Sequence, residues 1–357
     1  MKLTRAIILA YSLFASTAST ASTAGAAVTQ PQSGGRAFTR IAFGSCAFQW
    51  EKQPVLRAVV ASRPDVYLSL GDAIYGDYDG EKSYPVTAES LQREWKVLAD
   101  NPDWKYLSSR VPIMATWDNH DYGHYGAGEE FPLKEASAQI FLDFFGEPDG
   151  SERRRRAGVY SSGIFGPEGK KVQIILLDTR TFKSPPVLAQ RPEGSGGSLG
   201  KFAPNVDPEV TLLGSSQWQW LERELQRPAQ VRLIASSGQI VADEKGMDEW
   251  GNYPLERERL LQFVAVADGK SVLLSGNVHF SEVSATTVDS VGIIDFSSSG
   301  LTHVNKVYPQ APNRYRVAGP FVDINFGLVE ISWAETPEIV LKAVDVSGHT
   351  QFEYTVP

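Results

Sequence analysis

The chain has 357 residues, 42% of them hydrophobic and 21% charged. That is enough apolar material for one large or two modest domains, and it excludes a fibrous or disordered chain. The formal net charge of −8 argues against general nucleic-acid binding, which needs a basic face. A single cysteine, Cys46, rules out an internal disulfide and leaves one thiol to be either an inert core filler or a ligand.

Lys2 and Arg5 precede an apolar segment, Ala6 to Ala15, then a Ser/Thr/Ala tract and small residues at Ala24-Gly25-Ala26-Ala27. That order is an export signal over residues 1–27, with cleavage near Ala26 or Ala27. Its apolar part is too short to anchor the chain in a membrane, so a soluble exported protein, periplasmic or extracellular, is expected. Processing removes two cations and leaves a charge of about −10. An anionic substrate must then be drawn in by local positive charge, such as a bound metal. Residues 28–38, with Pro31, Gly34 and Gly35, read as a linker, and the folded domain is expected over 39–357.

Arg40 to Cys46 reads as a short strand breaking into a loop at Gly44, and Pro54 to Ser62 as a helix with Pro54 in its first turn. Asp65 to Leu70 is a buried strand ending in Gly71-Asp72-Ala73-Ile74-Tyr75. Strand, helix, strand is a right-handed crossover, which predicts a parallel or mixed sheet and puts Cys46 and Asp72 at one sheet edge. Thr87 to Leu107 carries helical spacing. Val111 to Ala115 is a buried strand that delivers Thr116-Trp117-Asp118-Asn119-His120-Asp121-Tyr122 to that same edge. Polar groups at the exit of a buried strand are either an α/β enzyme's site or turn and capping chemistry.

Lys134 to Phe145 is an amphipathic helix, and the four arginines 153–156 read as a solvated turn. Gly158 to Ser162 and Lys171 to Asp178 are strands. The stretch from Lys183 to Asn205, rich in Pro, Gly and Ser, is a candidate lid. Helices over Gln217–Gln226 and Arg257–Val266 alternate with strands over Val231–Ala235 and Ser271–Leu274, the last exiting into Ser275-Gly276-Asn277-Val278-His279. Beyond it strands prevail, over Ile293–Phe296, Phe326–Trp333 and Glu338–Val344, so an antiparallel addition is expected. No repeat or internal linker divides the chain.

The strand exits collect Cys46, Asp72 with Tyr75, Asn119 with His120, Gln239, and Asn277 with His279. No serine sits in a Gly-x-Ser-x-Gly elbow, and no glycine-rich loop carries a P-loop lysine. The set left over is one of metal coordination. Thiolate, phenolate and imidazole suit iron or another transition metal, while carboxylate and amide oxygens suit calcium or magnesium.

The order Gly71-Asp72, Asn119-His120 and Gly276-Asn277-Val278-His279 is similar to the calcineurin-like metallophosphoesterases. More closely, the chain resembles their alkaline phosphatase D family. The resemblance is carried by Phe43-Gly44-Ser45-Cys46, Gly71-Asp72-Ala73-Ile74-Tyr75, Trp117-Asp118-Asn119-His120-Asp121, Leu177-Asp178-Thr179-Arg180, Trp250-Gly251-Asn252-Tyr253-Pro254, Ser298-Ser299-Gly300-Leu301-Thr302-His303 and Asn325-Phe326-Gly327-Leu328.

It implies an α/β fold, a single four-layer α/β/β/α sandwich with metals at the strand ends. It implies Fe3+ held by Cys46, Asp72, Tyr75 and His279, and Ca2+ sharing Asp72 and using Asn119. The family usually has Asp where Asn119 and Asn277 stand, so Asn277 lowers the negative charge of the site. The activity implied is hydrolysis of phosphate mono- or diesters by a metal-bound hydroxide attacking phosphorus in line. His120 then protonates the departing alkoxide or orients Asp72. Arg180 clamps phosphate or forms an ion pair inside the sheet edge, and His303 lines the pocket. Two competing readings are a non-catalytic envelope-binding module of the same fold and a metal-dependent carboxylic esterase.

Overall fold

The computed structural model describes residues 28–190 and 199–357. The expected export signal, residues 1–27, and the centre of the expected lid, residues 191–198, lie outside the described residues.

The chain forms β1 (Arg40–Gly44), α1 (Val55–Ala61), β2 (Val66–Leu70), α2 (Ala88–Asp100), α3 (Pro102–Ser108), β3 (Ile113–Thr116), the single-turn α4 (Asn119–Tyr122), α5 (Lys134–Phe144), α6 (Glu152–Arg155), β4 (Ser161–Phe165) and β5 (Val172–Leu176). A short ribbon follows, β6 (Val187–Leu188) with β7 (Phe202–Ala203). Then come α7 (Gly214–Leu225), β8 (Val231–Ala235), α8 (Pro254–Val266), β9 (Lys270–Ser275), β10 (Ser281–Val288), β11 (Val291–Ser298), β12 (Arg316–Phe321), β13 (Asn325–Ser332), β14 (Glu338–Asp345) and β15 (Thr350–Thr355).

Two large sheets result, ordered β15-β14-β13-β1-β2-β3 and β12-β10-β11-β9-β8-β5-β4. β1, β2 and β3 are parallel, as are β5, β8, β9 and β11. The period-two alternation of a strand sends neighbours to opposite faces. Phe43, Leu68, Ile174, Leu176, Leu233 and Phe296 point between the sheets, where Phe43 meets Phe296 edge-on at 5.1 Å. Ala42 and Tyr67 point outward to Val55, Leu91 and Trp104. On the other side Ile175 and Ile234 point outward to Trp218, Leu221 and Leu260. Each large apolar side chain so buried stabilises the fold by about 1.5–3 kcal/mol. The layers are therefore helix, sheet, sheet, helix, the sandwich expected from the resemblance.

Four local expectations need correction. The helix over Thr87–Leu107 is two helices, because Pro102 has no N–H to continue the ladder. Asn101 instead caps the second helix, its side chain accepting from Asp103 N–H at 2.9 Å and Trp104 N–H at 3.3 Å. The strand expected from Gly158 starts at Ser161, since Gly158 adopts φ +84° and Val159 N–H donates to Asp178 at 2.8 Å. The arginine run is no solvated turn: Arg153 is buried and donates to the carbonyls of Val159 at 2.6 Å and Ala115 at 2.7 Å. Finally, residues 28–38 do not behave as a free linker. Val28 is buried in the helix-side core, the Thr29 carbonyl accepts from Ile113 N–H at 2.8 Å, Gly34 bridges to Phe165, and Phe38 stacks on Phe165 at 4.9 Å.

Candidate metal centre

Parallel strands end on one side, so the loops after β1, β2, β3, β8 and β9 meet there, the usual ligand edge of such sheets. Main-chain bonds lace them together. Cys46 N–H reaches the Gly71 carbonyl at 3.3 Å, Ala47 N–H the Asp72 carbonyl at 2.9 Å, and Gly300 N–H the Ser45 carbonyl at 3.1 Å. Asn277 N–H reaches Ser45 Oγ at 3.3 Å. Gly71 is required at φ +103°, where a Cβ would stand 2.4 Å from that of Asp118.

The Asp121 carboxylate organises two of these loops at once. It accepts N–H groups from Asp72 at 2.5 Å, Ala73 at 2.9 Å, Ile74 at 3.0 Å and Asp118 at 2.9 Å. Four non-glycine residues of the site, Cys46, Asp72, Asn277 and His279, are held at positive φ, 62°, 48°, 68° and 59°. Such backbone costs free energy and persists only where its surroundings impose it, as around ligand sites.

The result is that a Cys46 sulfur, an Asp72 oxygen and a His279 ring nitrogen lie within 4.8 Å of one another. Cys46 Sγ is 3.5 Å from Asp72 Oδ2. Tyr75 is buried beside them, its hydroxyl 3.0 Å from His303 Nε2. Burial pushes the Cys46 thiol well up, and the nearby Asp72 adds to it. Burial likewise raises the Asp72 carboxyl to about 7 and raises the Tyr75 phenol, with Cys46 and Asp72 contributing. It drives His279 down to about 3, with His303 and His120 adding to the shift.

Burial thus disfavours the charged thiolate, carboxylate and phenolate, and it keeps the imidazole neutral. Asn119 supports the same reading, because both its side-chain amide atoms are buried without a hydrogen-bond partner, as is Asp118 Oδ2. Buried polar atoms left unpaired cost about 1–3 kcal/mol each, and a cation beside them would remove that cost. The residues present fit a metal ion.

His120 lies just outside this cluster. Its N–H donates to Asp72 Oδ1 at 3.1 Å, its Nδ1 is 2.5 Å from Asp77 Oδ1, and its ring stacks on Tyr75 at 4.2 Å. Burial alone would lower its pKa, but the carboxylates of Asp72 and Asp77 outweigh burial and raise it. His303 is packed at the same rim, 4.5 Å from His279 between ring centroids.

Arg180 takes the ion-pair role and not that of a phosphate clamp. It is fully buried, its Nε donates to Asp118 Oδ1 at 2.7 Å, and its two terminal nitrogens bond Asp118 and Asp248. Gln239 is also committed elsewhere, to Glu282 and Ser297. Sequence reasoning passed over Asp77, although it follows Asp72 on the same loop. It gave Asp121 no role of its own, because that role depends on four backbone donors drawn from two loops.

The model of the family described as PhoD-like phosphatase matches residues 41–309. A curated relative, "Alkaline phosphatase D" of Bacillus subtilis (strain 168), is 24% identical over 293 residues, which make up 70% of this chain and 47% of the relative. The chain therefore spans about half the length of that relative. A solved structure titled "Structure of PhoD" superposes with a TM-score of 0.64 at 18% identity, covering 92% of this chain and 73% of the other, and it shows a shared fold. With three quarters of its length matched and the sandwich in common, this chain belongs to the PhoD-like phosphatase family.

Proposed function

We propose that the protein is an exported, metal-dependent phosphoric ester hydrolase acting on phosphate mono- or diesters. The convergence of Cys46, Asp72 and His279 on one point, with Tyr75 alongside, carries this reading. By donor type the thiolate, phenolate, imidazole and carboxylate suit Fe3+, and the carboxylate and amide oxygens of Asp72 and Asn119 suit Ca2+. When bound, such ions lower the pKa of water and neutralise charge on phosphoryl oxygens.

The chain's own residues supply the rest. The Asp77 contact at Nδ1 leaves Nε2 of His120 for the substrate, and the raised pKa keeps a proton there for the departing alkoxide. Tyr75 and His303, bonded to each other, wall the same side. Asp121 keeps the two loops in register, so that nucleophile and leaving group stay in line. Arg180 neutralises Asp118 and Asp248 behind the site. No helix among the described residues is long and apolar enough to cross a membrane.

The deciding experiment measures turnover of nitrophenyl phosphate, bis(nitrophenyl) phosphate and nitrophenyl acetate, before and after chelation, beside metal analysis. Chelator-sensitive cleavage of either phosphate ester is expected. Faster acetate cleavage would favour the carboxylic esterase, and no cleavage of any of the three would favour the binding module.

A further inference from the structure

Three rings stack outward from the ligand cluster. Phe48 lies on His303 with centroids 3.9 Å apart and planes 13° from parallel. Trp50 lies on Phe48 at 5.0 Å and 15°. The backbone holds this stack in place. Phe48 N–H donates to Thr302 Oγ1 at 2.8 Å, and that oxygen is 3.0 Å from His303 Nδ1. Between the two aromatics, the buried Gln49 accepts from Tyr75 N–H at 2.9 Å and donates back to the Tyr75 carbonyl at 3.4 Å. The ring stack and the candidate ligand Tyr75 are therefore parts of one rigid unit.

The outermost ring is in the wrong place for a structural tryptophan. Trp50 is 38% exposed, whereas every other tryptophan among the described residues is buried or, at Trp333, half-buried. A large ring held rigidly at the surface forgoes burial, yet loses little entropy when it captures a planar partner. Trp50 also forms one wall of a groove of about 940 Å³ that runs from it along α2 and α3. None of Cys46, Asp72, Tyr75 and His279 lines this groove, while Gln49, which is bonded to Tyr75, does, so it suits the remainder of a substrate and not its phosphorus. Three of its four cations are already matched, Arg57 with Asp103, Arg93 with Glu94 and Lys96 with Asp100; the fourth, Lys52, is exposed. Recognition there falls mainly to ring faces and carbon surface.

We infer that Trp50 is a specificity-determining residue that stacks the planar base of a nucleoside-type phosphate ester whose phosphorus sits at the Cys46–Asp72–His279 cluster. The inference rests on the phosphoesterase reading of that cluster. A nucleoside carries its base one sugar away from its phosphate, and the stack sets Trp50 two rings beyond the imidazole that touches Tyr75. Stacking is tolerant of base identity, since every base presents a π-face.

The test compares esters that share a leaving alkoxide and differ only in the base: adenosine 5′-phosphate against ribose 5-phosphate, and the methyl diester of each. On the metal-loaded protein, kcat/KM is expected to favour the adenosine member of the cleaved pair by about tenfold or more. In Trp50→Leu, which keeps an apolar side chain but removes the stacking face, that ratio is expected to fall to about one, while Trp50→Phe keeps part of it. Equal kcat/KM for the two members in the native protein would overturn the inference and leave the phosphoesterase reading intact, as would an unchanged ratio in Trp50→Leu. If no ester is cleaved, the phosphoesterase reading fails. Calorimetric binding of adenosine 5′-phosphate then decides the stacking alone, which stands if Trp50→Leu weakens binding and falls if it does not.

Discussion

His120 and Asp77 form a close pair, Nδ1 to Oδ1 at 2.5 Å, at the rim of the metal-ligand cluster. The carboxylate selects the tautomer and holds the ring against Tyr75. Replacing His120 by Ala is expected to lower kcat by roughly a hundredfold or more, the usual span for a lost general acid. Asp77→Asn should lower kcat by roughly tenfold to a hundredfold and shift the alkaline limb of the pH–rate profile, with metal content unchanged. Full activity in both variants would leave the pair a packing feature.

Cys46→Ser tests the cluster directly. Serine keeps the shape but removes the soft donor that suits iron or another transition metal. Metal analysis of the purified variant is expected to show that ion reduced to a small fraction of its native content, with loss of any thiolate colour. Retention at full occupancy would take Cys46 out of the coordination sphere.

Arg180→Met separates the ion-pair role from phosphate clamping. Removing one partner of a buried pair leaves the other charges uncompensated and costs about 3–5 kcal/mol. Denaturant unfolding should show that loss, since Asp118 and Asp248 would both be stranded. A raised KM with native stability would instead restore the clamp.

Acid stability is expected to depend on Glu282. Burial acts to raise its pKa, but Lys245 and Arg316 outweigh it and hold the carboxyl below its ordinary value. A folded pKa below the unfolded one means the unfolded chain binds more protons as pH falls. The contribution of Glu282 is therefore present above about pH 4.5 and is lost on further acidification through its folded value. The urea midpoint of the native protein should fall over that window, while that of Glu282→Gln, lower at neutral pH, should fall less. Parallel curves would show that the pair is not linked to acid unfolding.

Much of the architecture was readable because buried parallel strands are largely apolar along their whole length, as Val66–Leu70 is and as Val231–Ala235 is apart from Arg232. Their exits followed from chain order alone, which placed Cys46, Asp72 and His279 at one edge. β12 and β15 escaped notice because exposed edge strands lack that apolar signature. Pro102 announced a helix break that the apolar spacing around it concealed. Arg180 was ambiguous by nature, since a guanidinium is equally suited to phosphate and to carboxylate. Only the positions of Asp118 and Asp248 decide between them.

The segment from Val28 to Phe38 runs along β3 on one sheet and β4 on the other, the two outermost strands on that flank. A naked strand margin invites pairing with another molecule, and here a single stretch of chain shields two such margins together. Loosening it would unmask both at once, so the first symptom of damage there would be self-association of otherwise folded molecules, with the distant chemistry still in place.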